Sequence, residues 1–384
     1  MASEELDAVA AARRWDWSRE ETRDFGRRVA DVIADYLADL PERPVFKPVP
    51  PEAAGAFASA PLPQTGTPVE AILEEFERTI AAYPFGNGHP RFHGWVNSPP
   101  HVVGVMASAL AAALNPSVAG GNHASVHLEH QVVRWFRELA GFPEASCGLL
   151  VSGGSMATLT ALTVARWRAA ARAGIDVRAD GLQGHGRRFV LYLGEETHSC
   201  VRKAAEVLGL GSNDLRLVPA DEEGRMRVDV LREMLERGLA AGELPIAVAA
   251  SVGTVNTGAI DPLHEIADVC AERGLWFHVD GAYGAPAALL LDRYADARAA
   301  LARVDSLALD PHKWLYVPVD AGLVLVRDGE AARDAFSLEP WTPFLDRLPL
   351  VPKCYHDPSG AGPEAKPAGI GAAAAALGDF CSYA

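Results

Sequence analysis

Three features that would assign the chain to a familiar class are scarce or missing in its sequence. Cysteine is the first, because the 384 residues contain only five cysteines and no Cys-x-x-Cys pair. An odd, widely spaced set argues against a disulfide scaffold and against a structural zinc site. It favours a reducing compartment, so we expect a cytoplasmic location. The cysteines are Cys147, Cys200, Cys270, Cys354 and Cys381.

Long apolar runs and clustered positive charge are missing as well. No apolar run is long enough to span a bilayer, and Met1–Glu20 is polar and acidic, unlike a secretory signal. The formal net charge is −15, and no basic cluster stands out. We therefore expect neither nucleic acid nor a membrane surface as a partner.

What is present is an ordinary globular composition, 49% hydrophobic and 22% charged. The N-terminal part predicts two helices, Asp16–Leu40 and Pro68–Tyr83, joined by the proline-rich connector Pro41–Pro63. Such an arm has too little core to fold alone and must pack on a larger surface. The expected divisions are a helical arm over 1–85, a large domain over 86–340 and a weakly ordered tail rich in Pro, Gly and Ala over 341–384.

The pattern from Leu149 onwards predicts an α/β domain. Short apolar segments alternate with longer helical stretches, which implies a mostly parallel sheet with helices on both faces. The predicted strands are Leu149–Val151, Phe189–Leu193, Leu215–Val218, Ile246–Ser251, Trp276–Val279, Ser306–Leu309 and Leu323–Val326.

One lysine stands at the centre of the functional interpretation. The sixth predicted strand ends at Asp310-Pro311, and Lys313 follows between His312 and Trp314. An ammonium group held between an imidazole and an indole is poorly solvated, which favours the neutral amine. Such an amine can form a Schiff base with an aldehyde, and pyridoxal phosphate is the usual aldehyde. The alternative for this segment alone is a surface lysine beside a packed tryptophan.

A glycine-containing turn precedes the first long helix of the α/β region. Ser152–Ser155 follows a short strand and opens a helix, so its free N–H groups and the helix dipole can bind an anion. The glycines, Gly154 included, allow the backbone to approach a phosphate, and the Ser155 hydroxyl can add a hydrogen bond. An ordinary strand-to-helix turn explains this motif about equally well.

Two further strand ends carry residues suited to a flat, charged ring. His198 could stack on such a ring, and Asp280 could pair with a protonated pyridine nitrogen, which makes the ring an electron sink. Small residues after Asp280, beginning with Gly281 and Ala282, leave room for the ring. The alternative for both is helix capping. Because all these residues follow strands, we expect them at the carboxyl edge of the sheet, where α/β proteins bind ligands.

Three histidines offer a different interpretation. His123, His127 and His130 could share one helical face and bind zinc. The sequence contains no His-Glu-x-x-His pattern and no carboxylate at a familiar spacing, so we rank this hypothesis below a structural helix over Leu128–Ala140. We expect no metal, and a metal-dependent hydrolase is the most distant alternative.

Taken together, these motifs resemble the pyridoxal-phosphate-dependent decarboxylases that act on aromatic L-amino acids, glutamate and histidine. The likeness runs from about Trp15 to Pro340 and includes the N-terminal signature His89–Phe92. The matching motifs are Ser152–Ser155, Thr197–Ser199, Gly253–Asp261, His278–Tyr283 and Asp310–Trp314.

The resemblance implies a fold-type-I, aspartate-aminotransferase-like large domain and a homodimer with active sites at the interface. It implies a Schiff base on Lys313 and makes Lys313, His198 and Asp280 the catalytic residues. The implied cofactor-binding residues are Gly154, Ser155, His198, Thr254, Asp280, Ala282, His312 and Lys313, and Trp95 is implied to shape the substrate pocket.

The implied reaction is decarboxylation of an L-amino acid to the amine and carbon dioxide. An aromatic or neutral substrate is favoured, because Arg91 is the basic residue that stands out in the N-terminal pocket segment. The same residues would also serve an aminotransferase or an aldehyde-forming lyase. A third hypothesis is a protein that binds the cofactor or dimerises without catalysis.

The sequence departs from the family pattern in two places. Val255 stands where relatives often have a second threonine. After Leu338–Pro340 the family pattern continues with a mobile loop that carries a catalytic tyrosine, an arginine-rich segment and a small domain, whereas 341–384 resembles none of these. We expect a complete cofactor site and an atypical, truncated C-terminal part.

Overall fold

A computed structural model describes residues 17–64, 66–118 and 122–336. The chain divides into two compact units, Met1–Pro99 and Pro100–Ala384. The expected arm over 1–85 falls within the first unit, and its standing as a separate domain stays a prediction. The tail over 341–384, for which weak order was predicted, lies outside the described residues.

Within residues 17–64 and 66–99, the first unit contains three α-helices, α1 (Arg19–Asp39), α2 (Pro51–Ser59) and α3 (Val69–Glu75). A π-helical turn over Phe76–Ile80 extends α3. Helix α1 begins with a capping box in which Ser18 and Glu21 satisfy each other's backbone N–H groups. The predicted connector contains α2, which the proline-rich composition concealed. A proline fits the first turn of a helix, where its missing N–H is not needed.

The described part of the second unit, 100–118 and 122–336, is built on one sheet of seven strands. The strands follow one another across the sheet in the order β1-β7-β6-β5-β4-β2-β3. The pairs among β2 to β6 are parallel, and β7 is antiparallel to both β1 and β6, so the predicted mostly parallel sheet is confirmed. The strands are β1 (Cys147–Val151), β2 (Phe189–Gly194), β3 (Leu215–Val218), β4 (Leu244–Ser251), β5 (Trp276–Asp280), β6 (Ser306–Leu309) and β7 (Gly322–Val326).

Helices cover both faces of this sheet, because the central strands are apolar on both sides. Helices α6, α7 and α12 pack on one face, and α5, α8, α9, α10 and α11 pack on the other. The helices are α4 (Val102–Leu114), α5 (Ala124–Leu139), α6 (Gly154–Arg172), α7 (Ser199–Val207), α8 (Val228–Ala240), α9 (Leu263–Arg273), α10 (Ala285–Leu290), α11 (Ala295–Leu301) and α12 (Gly329–Phe336).

The strand directions gather several loops at one edge. Strands β2, β4, β5 and β6 run parallel, and β1 shares their direction because both β1 and β6 are antiparallel to β7. The residues that follow these strands therefore meet at the carboxyl edge of the sheet. Across the parts of the chain that the structure describes, no helix is both long and apolar enough to cross a membrane.

Candidate active site

The turn between β1 and α6 places backbone N–H groups at the carboxyl edge of the sheet. Helix α6 begins at Gly154, and no side chain caps its first N–H groups. A Cβ atom added to Gly154 would lie 3.0 Å from the Ala282 Cβ and 3.1 Å from Asp310 Oδ2. A side chain at 154 would therefore crowd these atoms, and the backbone at the start of α6 lies directly against the residues that follow β5 and β6.

A tight turn after β6 presents Lys313. The Lys313 N–H donates to the Asp310 carbonyl at 3.1 Å, and the Lys313 Nζ lies 3.1 Å from Asp310 Oδ2. The sequence predicted an imidazole and an indole as the neighbours of this ammonium group. The structure instead pairs it with a buried carboxylate, while the Trp314 ring contacts Tyr283 edge-on, with ring centroids 5.6 Å apart.

His312 is oriented by the backbone of the same loop. Its Nδ1 accepts a hydrogen bond from the Ala321 N–H at 3.0 Å. The neutral ring therefore carries its proton on Nε2, which lies 3.6 Å from Asp310 Oδ2. A Cβ atom added to Gly153 would lie 3.6 Å from the His312 Cε1, so the ring is adjacent to the turn that opens α6.

Asp280 ends β5 as a buried carboxylate with two protein donors. Its Oδ1 accepts from the Ala282 N–H at 3.1 Å, and its Oδ2 accepts from the Cys200 thiol at 3.6 Å. Burial, and secondly the charge of Asp280, raises the pKa of the Cys200 thiol. The thiol is therefore protonated near neutral pH and can act as a donor, a role that the sequence analysis did not foresee for Cys200.

His198 caps α7 and lies beside Asp280 at the same time. Its Nδ1 accepts from the Cys200 N–H at 3.2 Å, which fixes the ring at the start of the helix. One ligand atom from each of His198, Cys200 and Asp280 lies within 4.8 Å of the others. The capping alternative is thus correct for His198, and the cap holds the imidazole beside Asp280. Stacking of this ring on a cofactor stays a prediction.

A second histidine, His278, lies on β5 two residues before Asp280. His278 is fully buried, and its Nδ1 shares a 2.9 Å hydrogen bond with the Ser306 hydroxyl. Burial lowers the pKa of His278 to about 4, although the charge of Asp280 acts in the opposite direction. A neutral imidazole therefore lies in the core next to the position that holds Asp280.

The hydroxyl of Thr254 closes its own loop after β4. It shares a 2.7 Å hydrogen bond with the Thr257 hydroxyl and accepts from the Ala259 N–H at 3.1 Å. Ser155 is exposed in the first turn of α6. Trp95 lies in the first unit with 75% of its surface exposed, against the Phe85 ring, so its contribution to a substrate pocket stays a prediction.

Two of the three histidines considered for zinc have hydrogen-bond partners of their own. His123 Nε2 contacts the Ser117 carbonyl at 2.8 Å, and His127 Nε2 contacts Asn122 Oδ1 at 2.7 Å. Within 17–64, 66–118 and 122–336, the metal-like cluster of acidic, thiol and imidazole groups is the one formed by His198, Cys200 and Asp280.

The residues at this edge of the sheet fit pyridoxal phosphate. Free N–H groups at Gly154 suit a phosphate, the buried Asp280 suits a pyridine nitrogen, and Lys313 supplies the amine. The Ala282 N–H donates to Asp280, and the Ala282 Cβ lies 3.0 Å from the position of a Cβ added to Gly154, so a larger side chain at 282 would crowd the start of α6. Four of the predicted cofactor residues, Gly154, Ala282, His312 and Lys313, are thereby linked through the unpredicted residue Asp310.

Comparison with known proteins agrees with this assignment. Residues 51–345 match the model of the pyridoxal-dependent decarboxylase conserved domain, and the chain belongs to this family of pyridoxal-phosphate proteins. The domain is a fold-type-I domain of the aspartate-aminotransferase type. Pyridoxal phosphate is the cofactor of the family, and solved relatives contain it.

Individual relatives differ in the substrate that their names give. Aromatic-L-amino-acid decarboxylase of Bacillus atrophaeus is 34% identical over 84% of this chain and 65% of its own length. L-2,4-diaminobutyrate decarboxylase of Rhizobium meliloti is 35% identical over 70% of this chain and 52% of its own length. The crystal structure of Oryza sativa TDC with PLP and tryptamine superposes with a TM-score of 0.75 at 25% identity, covering 84% of this chain and 67% of that one.

The range of activities among these proteins extends beyond simple decarboxylation. A 3,4-dihydroxyphenylacetaldehyde synthase of Aedes aegypti is 30% identical over 83% of this chain and 63% of its own length.

The chain spans about two thirds of the length of the aromatic-amino-acid relative and about half of the diaminobutyrate relative.

Proposed function

We propose that the protein decarboxylates an L-amino acid to the amine and carbon dioxide with pyridoxal phosphate attached to Lys313. The observation that carries this proposal is the meeting of Lys313, Asp280, His198 and the start of α6 at one edge of the sheet. Each residue type matches one chemical demand of the reaction. Lys313, Asp280 and His198 are accordingly the proposed catalytic residues.

The bound cofactor would supply an electron sink for the pair released when a bond at the substrate α-carbon breaks. The N–H groups of Gly154 and Ser155 and the Nε2–H of His312 would hold the phosphate. Asp280 would keep a proton on the pyridine nitrogen, and the Cys200 thiol fixes the Asp280 carboxylate in place. His198 would cover the ring, and Lys313 Nζ would hold or move a proton.

Thr254 and Ala282 complete the proposed cofactor site in different ways. Thr254 keeps the loop after β4 closed beneath the site through its contacts with Thr257 and Ala259. Ala282 donates its N–H to Asp280 and leaves space above α6 for the ring. Neither side chain needs to contact the substrate in this proposal.

For the substrate we propose an aromatic or neutral L-amino acid. The support is the aromatic decarboxylase among the relatives and the scarcity of cationic side chains in the segment 86–96, where Arg91 is the basic residue and Trp95 an aromatic one. Diaminobutyrate and histidine, which appear in the names of other relatives, are the competing substrates to include in any assay.

Aldehyde formation is the second candidate reaction, because the Aedes aegypti relative is named for it. It shares the loss of carbon dioxide with decarboxylation but yields an aldehyde in place of the amine. Chromatography of the products formed from an aromatic L-amino acid separates the two reactions. An amine as the main product supports the proposed decarboxylase, and an aldehyde supports the alternative.

The experiment that tests the proposed function combines spectroscopy with borohydride reduction. Purified protein loaded with pyridoxal phosphate is expected to show a visible absorption band that shifts with an aromatic L-amino acid while carbon dioxide is released. After reduction, mass spectrometry is expected to find the cofactor on Lys313. The variant Lys313→Ala should lose this attachment, whereas Lys203→Ala, an exposed lysine of α7, should keep it. Cofactor fixed in Lys313→Ala would contradict the proposal.

We also propose a homodimer, and the surface of α4 supports it. This helix exposes a set of large apolar side chains that a second copy of the chain would cover. They are Val102, Val103, Met106, Leu110 and Leu114. Sedimentation should show a dimer that Leu110→Glu weakens. A monomer at micromolar concentration for the unsubstituted chain would contradict this part of the proposal.

A further inference from the structure

Cys200 is a buried residue that contacts two of the three proposed catalytic residues. Its backbone N–H donates to His198 Nδ1 at 3.2 Å, and its thiol donates to Asp280 Oδ2 at 3.6 Å. Only 5% of the surface of Cys200 is exposed, and the residue lies in the first turn of α7. One residue thus connects the cap of α7 with the carboxylate at the end of β5.

A side chain from a second helix lies against the same sulfur atom. The Thr158 hydroxyl of α6 is fully buried and lies 3.9 Å from Cys200 Sγ. The thiol has one hydrogen, which burial retains by raising the pKa of the group. Of the two possible acceptors, the Asp280 carboxylate is both nearer and charged, so it is the better partner for this hydrogen.

The Asp280 carboxylate has one donor on each oxygen among the described residues. The Ala282 N–H donates to Oδ1 at 3.1 Å, and the Cys200 thiol supplies the donor for Oδ2. The torsion about the Cβ–Cγ bond of an aspartate is soft, so a donor on one oxygen alone leaves the carboxylate able to turn. A donor on each oxygen fixes its plane, and every oxygen keeps a further lone pair for a ligand.

We propose that Cys200 is a positioning residue for the proposed cofactor: its thiol holds the Asp280 carboxylate in the orientation that accepts a hydrogen bond from the pyridine nitrogen. This inference rests on the proposed cofactor site. In it, Cys200 contacts neither the ring nor the substrate and acts through Asp280. Loss of the thiol should therefore weaken the contact with the ring nitrogen and leave the phosphate position at the start of α6 intact.

The test compares two ligands that form no Schiff base with Lys313. Deoxypyridoxine 5′-phosphate has the ring and the phosphate but no aldehyde, and its benzene analogue has carbon in place of the ring nitrogen. Calorimetry on the full chain near neutral pH gives the affinity for each ligand. A substitution that only destabilises the fold weakens the binding of both ligands equally, so the ratio of the two affinities reports the contact with the ring nitrogen.

Four variants separate the thiol hydrogen from the volume of the side chain. Cys200→Ala and Cys200→Ser introduce side chains of similar size, of which only serine has a donor. Cys270→Ala is the matched control, because Cys270 is a buried thiol of α9 on the opposite face of the sheet. Cys200→Val, a larger side chain without a donor, takes the place of Cys200→Ala if circular dichroism shows that the alanine variant does not fold.

The unsubstituted chain should bind the pyridine ligand more tightly than the benzene analogue. This preference should fall about fivefold in Cys200→Ala, the loss expected for one hydrogen bond. Cys200→Ser should retain more of the preference than Cys200→Ala, and Cys270→Ala should retain all of it. The inference is overturned if the preference is the same in Cys200→Ala as in the unsubstituted chain, or the same in the serine variant as in the alanine variant.

Failure of the proposed function gives a different result. If neither ligand binds to the folded, unsubstituted chain, the proposed cofactor site is wrong and this inference falls with it. If both ligands bind to that chain equally well, the proposed role of Asp280 is wrong, and Cys200 has no contact to position. A preference for the pyridine ligand that survives in Cys200→Ala overturns the inference alone and leaves the proposed function in place.

Discussion

The two units of the chain have helices of similar sequence pattern but very different burial. In the first unit, Leu40 and His89 are the buried side chains among the described residues, and α1, α2 and α3 bury none. The strands and helices of the second unit bury apolar side chains on both faces of the sheet. An apolar stripe in the sequence thus predicts a helix in either unit. Among the described helices, those of the second unit bury this stripe against the sheet, whereas α1, α2 and α3 bury no side chain.

The largest expected effect concerns the chemistry placed in the second unit. Asp280→Ala should keep the cofactor attached to Lys313 but lower kcat by about a thousandfold, because the pyridine nitrogen loses the carboxylate that keeps it protonated. Trp95→Ala in the first unit should raise KM several-fold with a much smaller change in kcat. Steady-state kinetics distinguish the two. Unchanged turnover in Asp280→Ala would exclude the proposed role of this residue.

Truncating an apolar side chain should also cost more stability in the second unit than in the first. Leu162→Ala in α6, a fully buried position, should lower the free energy of unfolding by about 3 kcal/mol through lost burial and an unfilled cavity. Ile72→Ala in α3, where half of the side chain is exposed, should cost below about 1 kcal/mol. Urea unfolding measures both. Equal costs would show that Ile72 is covered in solution, and dilution would then reveal whether a second copy covers it.

Burial of His278 should make the stability of the folded protein depend on pH. Its pKa is lowered by burial from 6.5 to about 4, so the unfolded chain binds the proton first and stability falls as pH decreases from about 6.5 towards 4. The loss between pH 8 and pH 5 should be about 2 kcal/mol. His278→Gln should remove this part of the slope, whereas His93→Gln, an exposed position in the first unit, is the matched control. An identical slope in both variants would contradict the assignment.

The smallest expected effect is a difference in thiol labelling. Burial raises the pKa of Cys147 to about 12 and also raises the pKa values of Cys200 and Cys270, so the folded protein should leave these thiols unlabelled by a disulfide reagent at pH 8. Urea should make them reactive. Peptide mapping after labelling identifies each position. Fast labelling of Cys200 in the folded protein would show that the donor beside Asp280 opens readily.

Much of the second unit could be predicted from the sequence, because its strands are short apolar runs bounded by turns. Strand β3 and strand β6 match their predicted bounds, and the other strands begin within two residues of the predicted start. Helix α2 was missed because the connector Pro41–Pro63 contains seven prolines, which mask the helical pattern. The bounds of a helix depend on local sequence, so this error was also local.

The candidate site could be predicted less completely than the strands, because some of its residues meet only in the folded chain. Lys313, Asp280 and His198 could be selected because each lies at or just after the end of a strand and has a distinctive chemistry. Asp310, although adjacent in sequence to the lysine turn, was interpreted only as the end of a strand. The thiol of Cys200 contacts a carboxylate 80 residues away, and no local pattern indicates such a contact. Partners of this kind become visible only when the strand order is known.

The position of β7 has a consequence for the order in which the protein assembles. Among the strands that the structure describes, β1 is the first along the chain and pairs only with β7, the last, which lies between β1 and β6. During synthesis β1 must therefore wait without a partner until Val326 has emerged, and such long-range pairing is slow. The turn that opens α6 follows β1 directly, so the phosphate position is completed in one of the final steps of folding. Cofactor added early in refolding should thus bind late, and it should then stabilise the product rather than speed its formation.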